Sequence, residues 1–527
     1  MRYIKDIKLA LLFIPLRKTD ETIESFKAVR KCTSWSTRVP SVLLLGISIL
    51  SLTSASGKEI QPNIILVMTD DQGYADLGCH GHPFLKTPNI DKLYGEAIRF
   101  TDFHASPACA PTRSALMSGK APFKVGVTHT AEPRARLKLG TVTVAEALKS
   151  NGYVTGIFGK WHLGWENEYQ PENRGFDEVF IHGGGGIARS QPKAETPLKN
   201  GKEKGYFNPF LKHNGSFVQT EGYCTDVFFQ QALGWMKSNV DQNKPFFAYI
   251  ATNAPHSPYI VDPKYSSPYK DKCDLHTANF YGMISNTDEN MGTLMSSIDK
   301  WGIRDNTILI FMTDNGSSKG SKVYNAGMKG KKCQPSEGGA KVPLFIRWPQ
   351  KLTAGLDVDR LTRHYDLFPT LLDLSSGQLP AGLELDGRSM VPLMKNPQTK
   401  EWEDRNTFIH VAKWPTGKRD KHKYANFAVR NERWRLEGPF KKNNTTLKDT
   451  RIQLYDIKND PGQTTDVSKK HPEIYKKMLS SYEQWWELCL PLMINEDADA
   501  AKENPFLEQY EKQRAESGIP KWTRPRF

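Results

Sequence analysis

Cysteine is scarce, with seven residues in a chain of 527, at positions 32, 79, 109, 224, 273, 333 and 489. So sparse and scattered a set excludes a disulfide-stapled scaffold and leaves room for one or two bridges, whose pairing the spacing does not set. No CxxC pair occurs, which argues against a thiolate zinc site. Internal repeats are not apparent, and the apolar run 41–50 is too short for a membrane helix. Glycine and proline, at 40 and 33 residues, stay near ordinary levels, so collagen-like and disordered chains are excluded. What remains is an ordinary globular composition, 38% hydrophobic and 25% charged. The length allows three or more domains, or equally one large α/β unit with an appendage. Acidic charge falls short of basic, 58 against 72, for a net +14. That surplus suits nucleic acid, an anionic membrane surface or an acidic polymer, or a basic surface with no specific partner.

The run Ser41–Leu50 is preceded by Arg30, Lys31 and Arg38 and followed by small residues including Thr53 and Ala55. Basic flank, short apolar stretch and small-residue exit form a signal-peptide layout. Its distance from Met1 points to a start further along the chain, with Val29 as a candidate, and to a mature N-terminus near Ser56 or Gly57. Residues 1–56 are therefore read as signal peptide and over-extended N-terminus, and the protein is expected to be exported, periplasmic or secreted. A mature chain of this kind remains basic, at about +9. Export disfavours nucleic acid as a partner, and no stable membrane span is expected.

From residue 61 short apolar strands alternate with amphipathic helices. Ile64–Met68, Val154–Phe158, Phe246–Ala251 and Thr307–Met312 read as buried strands, and Val142–Ser150, Asp226–Ser238 and Thr287–Lys300 as helices. The alternation predicts an α/β fold, a large mainly parallel sheet sandwiched by helices, with functional residues at the carboxyl ends of the strands. Beyond residue 395 the texture changes. Phe408–Val411, Asn426–Val429, Trp434–Glu437 and Gln453–Ile457 read as a small antiparallel sheet, and a helix from Pro472 to about Leu488 packs on it. The expected division is 57–395 for a catalytic domain and 396–527 for a docked C-terminal α+β subdomain. Residues 181–223, rich in glycine, lysine and asparagine, read as a long surface insertion. Within them Gly183–Gly186 lacks a P-loop lysine and dinucleotide spacing, and reads as a pocket rim. The basic run 418–423 reads as a solvated turn.

Several segments carry chemistry. Cys109-Ala110-Pro111-Thr112-Arg113 continues into Ser114-Ala115-Leu116-Met117-Ser118-Gly119-Lys120. By itself its cysteine is an ordinary small buried hydrophobe. Asp70-Asp71 and Asp314-Asn315 each follow an apolar strand; singly they would cap a helix or make a turn. Together they offer hard oxygen donors suited to Ca²⁺ or Mg²⁺ rather than zinc. Lys160 and His162 lie in Gly152–Gly164, and His256 stands between two prolines in Ala254-Pro255-His256-Ser257-Pro258. A lysine-rich stretch, Met328–Cys333, leads into Glu337-Gly338-Gly339-Ala340-Lys341-Val342-Pro343.

In this order and combination the segments resemble the formylglycine-dependent sulfatase family, whose fold is alkaline-phosphatase-like. The first matches the signature Cys-x-Pro-x-Arg, in which the cysteine is oxidised after synthesis to formylglycine. Thr112 and Ser118 each exchange the commoner hydroxyl residue for the other, and Lys341 replaces an arginine often found before Val-Pro. Glu337 anchors the register that selects Lys332, rather than Lys329 or Lys331, as the catalytic lysine. A weaker echo runs through Asp366-Leu367-Phe368-Pro369-Thr370 and Leu454-Tyr455-Asp456-Ile457, so the resemblance covers nearly all of the chain from residue 57. It implies a sulfuric ester hydrolase with Cys109, Arg113, Lys160, His162, His256 and Lys332 as catalytic residues. It further implies a divalent metal, Ca²⁺ or else Mg²⁺, held by Asp70, Asp71, Asp314, Asn315 and modified Cys109. The implied partners are a formylglycine-generating maturation enzyme and a sulfate ester, with a sulfated polysaccharide or its oligosaccharides suggested by export and basic charge. The alternatives are a phosphoester or phosphonate hydrolase of the same superfamily and a non-catalytic binder of sulfated glycans. The full set of acid, base and metal residues argues against the binder.

Overall fold

The computed structural model describes residues 61–192, 205–438 and 451–527; the signal-like run 41–50 and part of the 181–223 segment lie outside them. In chain order the strands are β1 (Asn63–Thr69), β2 (Ile98–Phe100), β3 (Phe103–His104), β4 (Val154–Lys160), β5 (Glu178–His182), β6 (Phe210–His213), β7 (Ser216–Gln219), β8 (Phe246–Ala251), β9 (Thr307–Thr313), β10 (Leu344–Arg347), β11 (Asp357–Val358), β12 (Thr362–Arg363), β13 (Thr407–His410), β14 (Phe427–Arg430), β15 (Trp434–Gly438) and β16 (Gln453–Asp456). Ten of them form one sheet in the order β11-β2-β10-β9-β1-β8-β4-β5-β6-β7. Its centre, β9-β1-β8-β4-β5, is parallel throughout. All seven residues of β1 are buried, as a strand covered on both faces requires. Ile64, Leu66 and Met68 enter one core, Ile65 and Val67 the other. The helices Cys109–Ser118, Val144–Ser150 and Leu367–Leu374 supply the first layer, and Pro88–Glu96, Cys224–Asp241 and Leu275–Lys300 the second.

Two expectations are corrected. The helix expected over 287–300 begins at Leu275, because Asp274 caps it by accepting the N–H groups of His276 and Thr277, and the added turns bury Phe280, Tyr281 and Ile284. The segment 181–223 is not simply a surface loop. Its described part includes the hairpin β6–β7, which extends the large sheet by two antiparallel strands. Asn214 and Gly215, both at positive φ (46° and 87°), make the two-residue turn. Phe210, Leu211 and Phe217 are buried by it.

The strands β13-β14-β15-β16 form an antiparallel meander, with the helix Pro472–Cys489 over one face. Ile409 and Ala428 of its other face meet Ala340. The chain then returns to the large sheet: Phe506 and Tyr510 pack on Phe217 at ring distances of 4.9 and 5.4 Å. The six cysteines among the described residues are free, and no helix there is long and apolar enough to cross a membrane.

Glu337 joins the two sheets. It is buried, and its carboxylate accepts from His104 (3.1 Å), Arg430 (3.2 Å) and Arg435 (2.6 Å). Burial alone would raise its pKa, but His104 and the two guanidiniums hold it well below the usual carboxylate range. A depressed carboxylate stabilises the fold above its unfolded pKa, near 4.5, and that contribution is lost as pH falls below it. Glu337→Gln is expected to cost about 3–5 kcal/mol at neutral pH, because it strands buried cations. It should also flatten the loss of stability below about pH 4.5, which urea unfolding at pH 7 and pH 4 would measure.

Candidate active site

The carboxyl ends of the five central parallel strands converge on one place, as the order of an open α/β sheet dictates. Asp314-Asn315 follow β9, Asp70-Asp71 follow β1, and His256 lies in the loop after β8. Lys160 ends β4 with His162 two residues on, and Gly183–Gly186 follow β5. Cys109 enters from the side as the first residue of a helix whose ten residues are all buried. The helix start is set by Thr112, whose hydroxyl donates to the Ser106 carbonyl and accepts from the Ser106 N–H, both at 3.0 Å. Cys109 and Arg113, four residues apart, share one helix face.

The acidic groups are arranged around Cys109. Ligand atoms of Asp70, Cys109 and Asp314 lie within 4.8 Å of one another. Asp70 Oδ2 accepts from Lys160 Nζ at 2.5 Å, and Asp314 Oδ2 accepts from Arg113 Nη2 at 2.9 Å. Asp314 Oδ1 accepts the Asp71 N–H at 3.1 Å. The remaining oxygens, Asp70 Oδ1 and Asn315 Oδ1, are buried and have no hydrogen-bond partner. Burial, then the neighbouring Asp70, pushes Asp314 up to about 7 even beside Arg113. Buried, unpartnered hard oxygens with surplus negative charge fit a divalent cation of the Ca²⁺ or Mg²⁺ type. Asp71 lies beside these oxygens: its Oδ1 accepts from Asn315 Nδ2 at 3.0 Å, and Lys332 Nζ reaches its carboxylate at 2.6 Å. Its φ of 71° is unusual for a non-glycine residue and marks a strained site backbone.

The bases are fixed through carbonyls. His162 Nε2 faces the Thr130 carbonyl at 2.9 Å, so the proton sits there and Nδ1, buried without a partner, keeps its lone pair. Burial and then Lys160 hold His162 well below its usual range, so it is neutral. His256 Nδ1 faces the Ser257 carbonyl at 2.6 Å, which leaves Nε2 toward Asp71 at 3.7 Å. Lys332 remains protonated: burial would lower it, but Asp71 holds it well above the usual range. Lys329, by contrast, reaches the Tyr455 hydroxyl at 3.0 Å, and Lys331 is exposed. Cys109 itself is pushed up to about 11, chiefly by burial, and an unmodified thiol there is protonated at neutral pH.

All ten residues singled out in the sequence therefore meet in one site. Sequence reasoning did not find Thr130, which orients His162, or Tyr206, whose hydroxyl donates to the His256 carbonyl at 2.6 Å. Neither stands in a motif. The glycine run does have a steric signal, since a Cβ at Gly185 would stand 2.6 Å from the His162 ring.

Residues 62–377 match the family described as sulfatase. The chain belongs to the sulfatase family. Residues 332–486 also match the C-terminal region of N-sulphoglucosamine sulphohydrolase. This sulfatase is 30% identical to human (Homo sapiens) arylsulfatase A over 452 residues, 80% of this chain and 86% of that one. It is 32% identical to N-acetylgalactosamine-6-sulfatase of Canis lupus familiaris over 376 residues, 68% of this chain and 70% of that one. Among solved structures, Ps i-CgsB in complex with k-i-k-neocarrahexaose superposes with a TM-score of 0.71 at 28% identity, covering 87% of this chain and 98% of that one. The site described above thus belongs to a sulfuric ester hydrolase.

Proposed function

We propose that this sulfatase is exported and removes sulfate from a sulfated polysaccharide or its oligosaccharides. In this reading its nucleophile is a formylglycine made from Cys109, and its resident metal is calcium. The observation that carries the reading is the position of Cys109: buried at a helix start, within 4.8 Å of two metal-type carboxylates, yet held as an unreactive thiol. Oxidised and hydrated, position 109 would present two hydroxyls on one carbon, one to attack sulfur and one to expel sulfate afterwards, which a thiol cannot do. A cation held by Asp70, Asp71, Asp314, Asn315 and modified position 109 would supply Lewis-acid stabilisation of the developing charge.

The chain's own groups account for the rest. Arg113, clamped by Asp314 and the Lys160 carbonyl, sets a fixed positive charge beside position 109. Lys160 and Lys332 neutralise the sulfate oxygens, and Lys332, held protonated, donates to the departing alkoxide, with His256 beside it. His162 Nδ1 has the free lone pair needed to accept a proton from the second hydroxyl. The basic surplus and the signal-peptide layout support an exported enzyme acting on a polyanion. The k-i-k-neocarrahexaose bound by Ps i-CgsB supports an oligosaccharide as the substrate.

Mass spectrometry of the tryptic peptide Phe100–Arg113 from protein made with its maturation enzyme tests the nucleophile. An aldehyde at position 109 is expected, and an intact thiol in active enzyme would sink the proposal. Dialysis against a chelator is expected to lower aryl sulfate turnover by about 10²-fold or more, the several kcal/mol a Lewis acid supplies. Ca²⁺ should restore it better than Mg²⁺; unchanged turnover in metal-free enzyme would refute the metal assignment.

A further inference from the structure

The loop that carries His256 is gripped from outside the site. Residues of β1 and just after it tie down its start: the Thr252 N–H donates to the Met68 carbonyl and the Asp70 N–H to the Ala254 carbonyl, both at 3.0 Å. Beyond Ala254, side chains take hold of its carbonyls. Tyr206 donates to the His256 carbonyl at 2.6 Å, Asn279 to the Tyr259 carbonyl at 3.1 Å and Tyr223 to the Ile260 carbonyl at 2.9 Å. None of the three takes part in the reaction as derived above.

The two tyrosines flank the hairpin β6–β7, one on each side in sequence. Their backbones are tied together: the Cys224 N–H donates to the Tyr206 carbonyl and the Asn208 N–H to the Gly222 carbonyl, both at 2.8 Å. Both rings are buried in the second core with centroids 6.3 Å apart. Burial, then the neighbouring Cys224, raises both phenols well above their usual range, so each hydroxyl stays a donor. A ring fixed by packing, with its hydroxyl on one carbonyl, holds that carbonyl in place. The carbonyl matters because of the His256 ring. Its Nδ1 donates to the Ser257 carbonyl at 2.6 Å, so ring and backbone turn as one unit. Its Nε2 lies 3.7 Å from Asp71, the carboxylate that Lys332 reaches at 2.6 Å. A shift of the His256 peptide is thereby passed to the groups that meet the departing alkoxide, where a displacement of about 1 Å can cost about 10²-fold in rate.

We propose that Tyr206 is a positioning residue for the leaving-group side of the site and acts through His256. The inference rests on the reading above that sets His256 beside the departing alkoxide. It gives the segment 205–223 a part in turnover through a hydrogen bond rather than a reacting group.

The test uses the mature enzyme and a series of aryl sulfates whose leaving groups grow poorer from nitrophenol to phenol. Tyr206→Phe keeps the ring and removes the hydroxyl. It is expected to lower kcat/KM about tenfold on phenyl sulfate and to leave nitrophenyl sulfate within about twofold, since a good leaving group asks for little help. The ratio between the two esters does not depend on the folded fraction, so a merely structural loss leaves it unchanged. His256→Ala should steepen the same leaving-group dependence, and adding Tyr206→Phe to His256→Ala should steepen it no further. Equal losses on both esters, no loss on either, or an additive effect in the double variant overturns the proposal. An unchanged dependence in His256→Ala sinks the leaving-group reading and the role of Tyr206 with it. A steeper dependence there but not in Tyr206→Phe sinks the role of Tyr206 alone.

Discussion

Cys109→Ala lowers kcat/KM for aryl sulfate by about 10³-fold or more, while the protein stays folded. This is the largest effect expected for a single substitution here, because removing a nucleophile leaves only binding and electrostatic groups to accelerate the reaction. The fold should tolerate it. The change removes only the small reactive group of one side chain at a buried helix start, and Thr112 and Ser106 hold the helix N-terminus through each other. The melting temperature is expected to fall by only a few degrees. Steady-state kinetics with thermal unfolding on the same preparation decides the matter. Activity within tenfold of wild type would mean that position 109 does not carry the nucleophile.

Lys332→Ala is the second. The expected loss is about 10²- to 10³-fold in kcat per folded enzyme, in the range for a charged group that meets the leaving alkoxide. Lys331→Ala, one residue away and exposed, should leave kcat within about twofold. Lys332→Ala also removes the cation on the buried Asp71, so some loss of stability accompanies it. Active fractions must therefore be counted before rates are compared. Lys329→Ala separates position from chemistry, since it loses the Tyr455 contact and the ion pair to Glu437 at 3.5 Å. It should cost stability more than turnover. A larger kinetic loss in the Lys331 or Lys329 variant than in Lys332→Ala would shift the register assigned to this loop.

The loop holding Lys332 shows how the small sheet serves the site. Gly338 and Gly339 lie so close to the 329–334 segment that a Cβ would meet the Gly330 carbonyl oxygen at 2.4 Å and the Gln334 carbonyl oxygen at 2.1 Å. Glu337, one residue before, is held by Arg430 of β14 and Arg435 of β15. Ser336 and Gln463 both reach Glu437 of β15, at 2.8 and 2.7 Å. The C-terminal strands thus position a lysine far from them in sequence, and the glycines are required by contact rather than by flexibility.

The sequence by itself determined the elements and residue types that depend on neighbours along the chain. The apolar runs Ile64–Met68 and Thr307–Met312 make buried strands, and the acids just beyond them arrive at the strand ends. Once the structure makes 109–118 a helix, the spacing of Cys109 and Arg113 places both on one face. The hairpin around Asn214-Gly215 was not read from the sequence, because its strands are short and contact with β5 makes them part of the sheet. What the tertiary structure alone decided is which of these groups face one another. Asp71 meets Lys332 across 261 residues of chain and meets Asp314 across 243. Those encounters follow from strand order and from the two sheets meeting at Glu337. Local preference fixes dihedral angles over a few residues. Contacts at this separation are chosen by burial, which sums over the whole core.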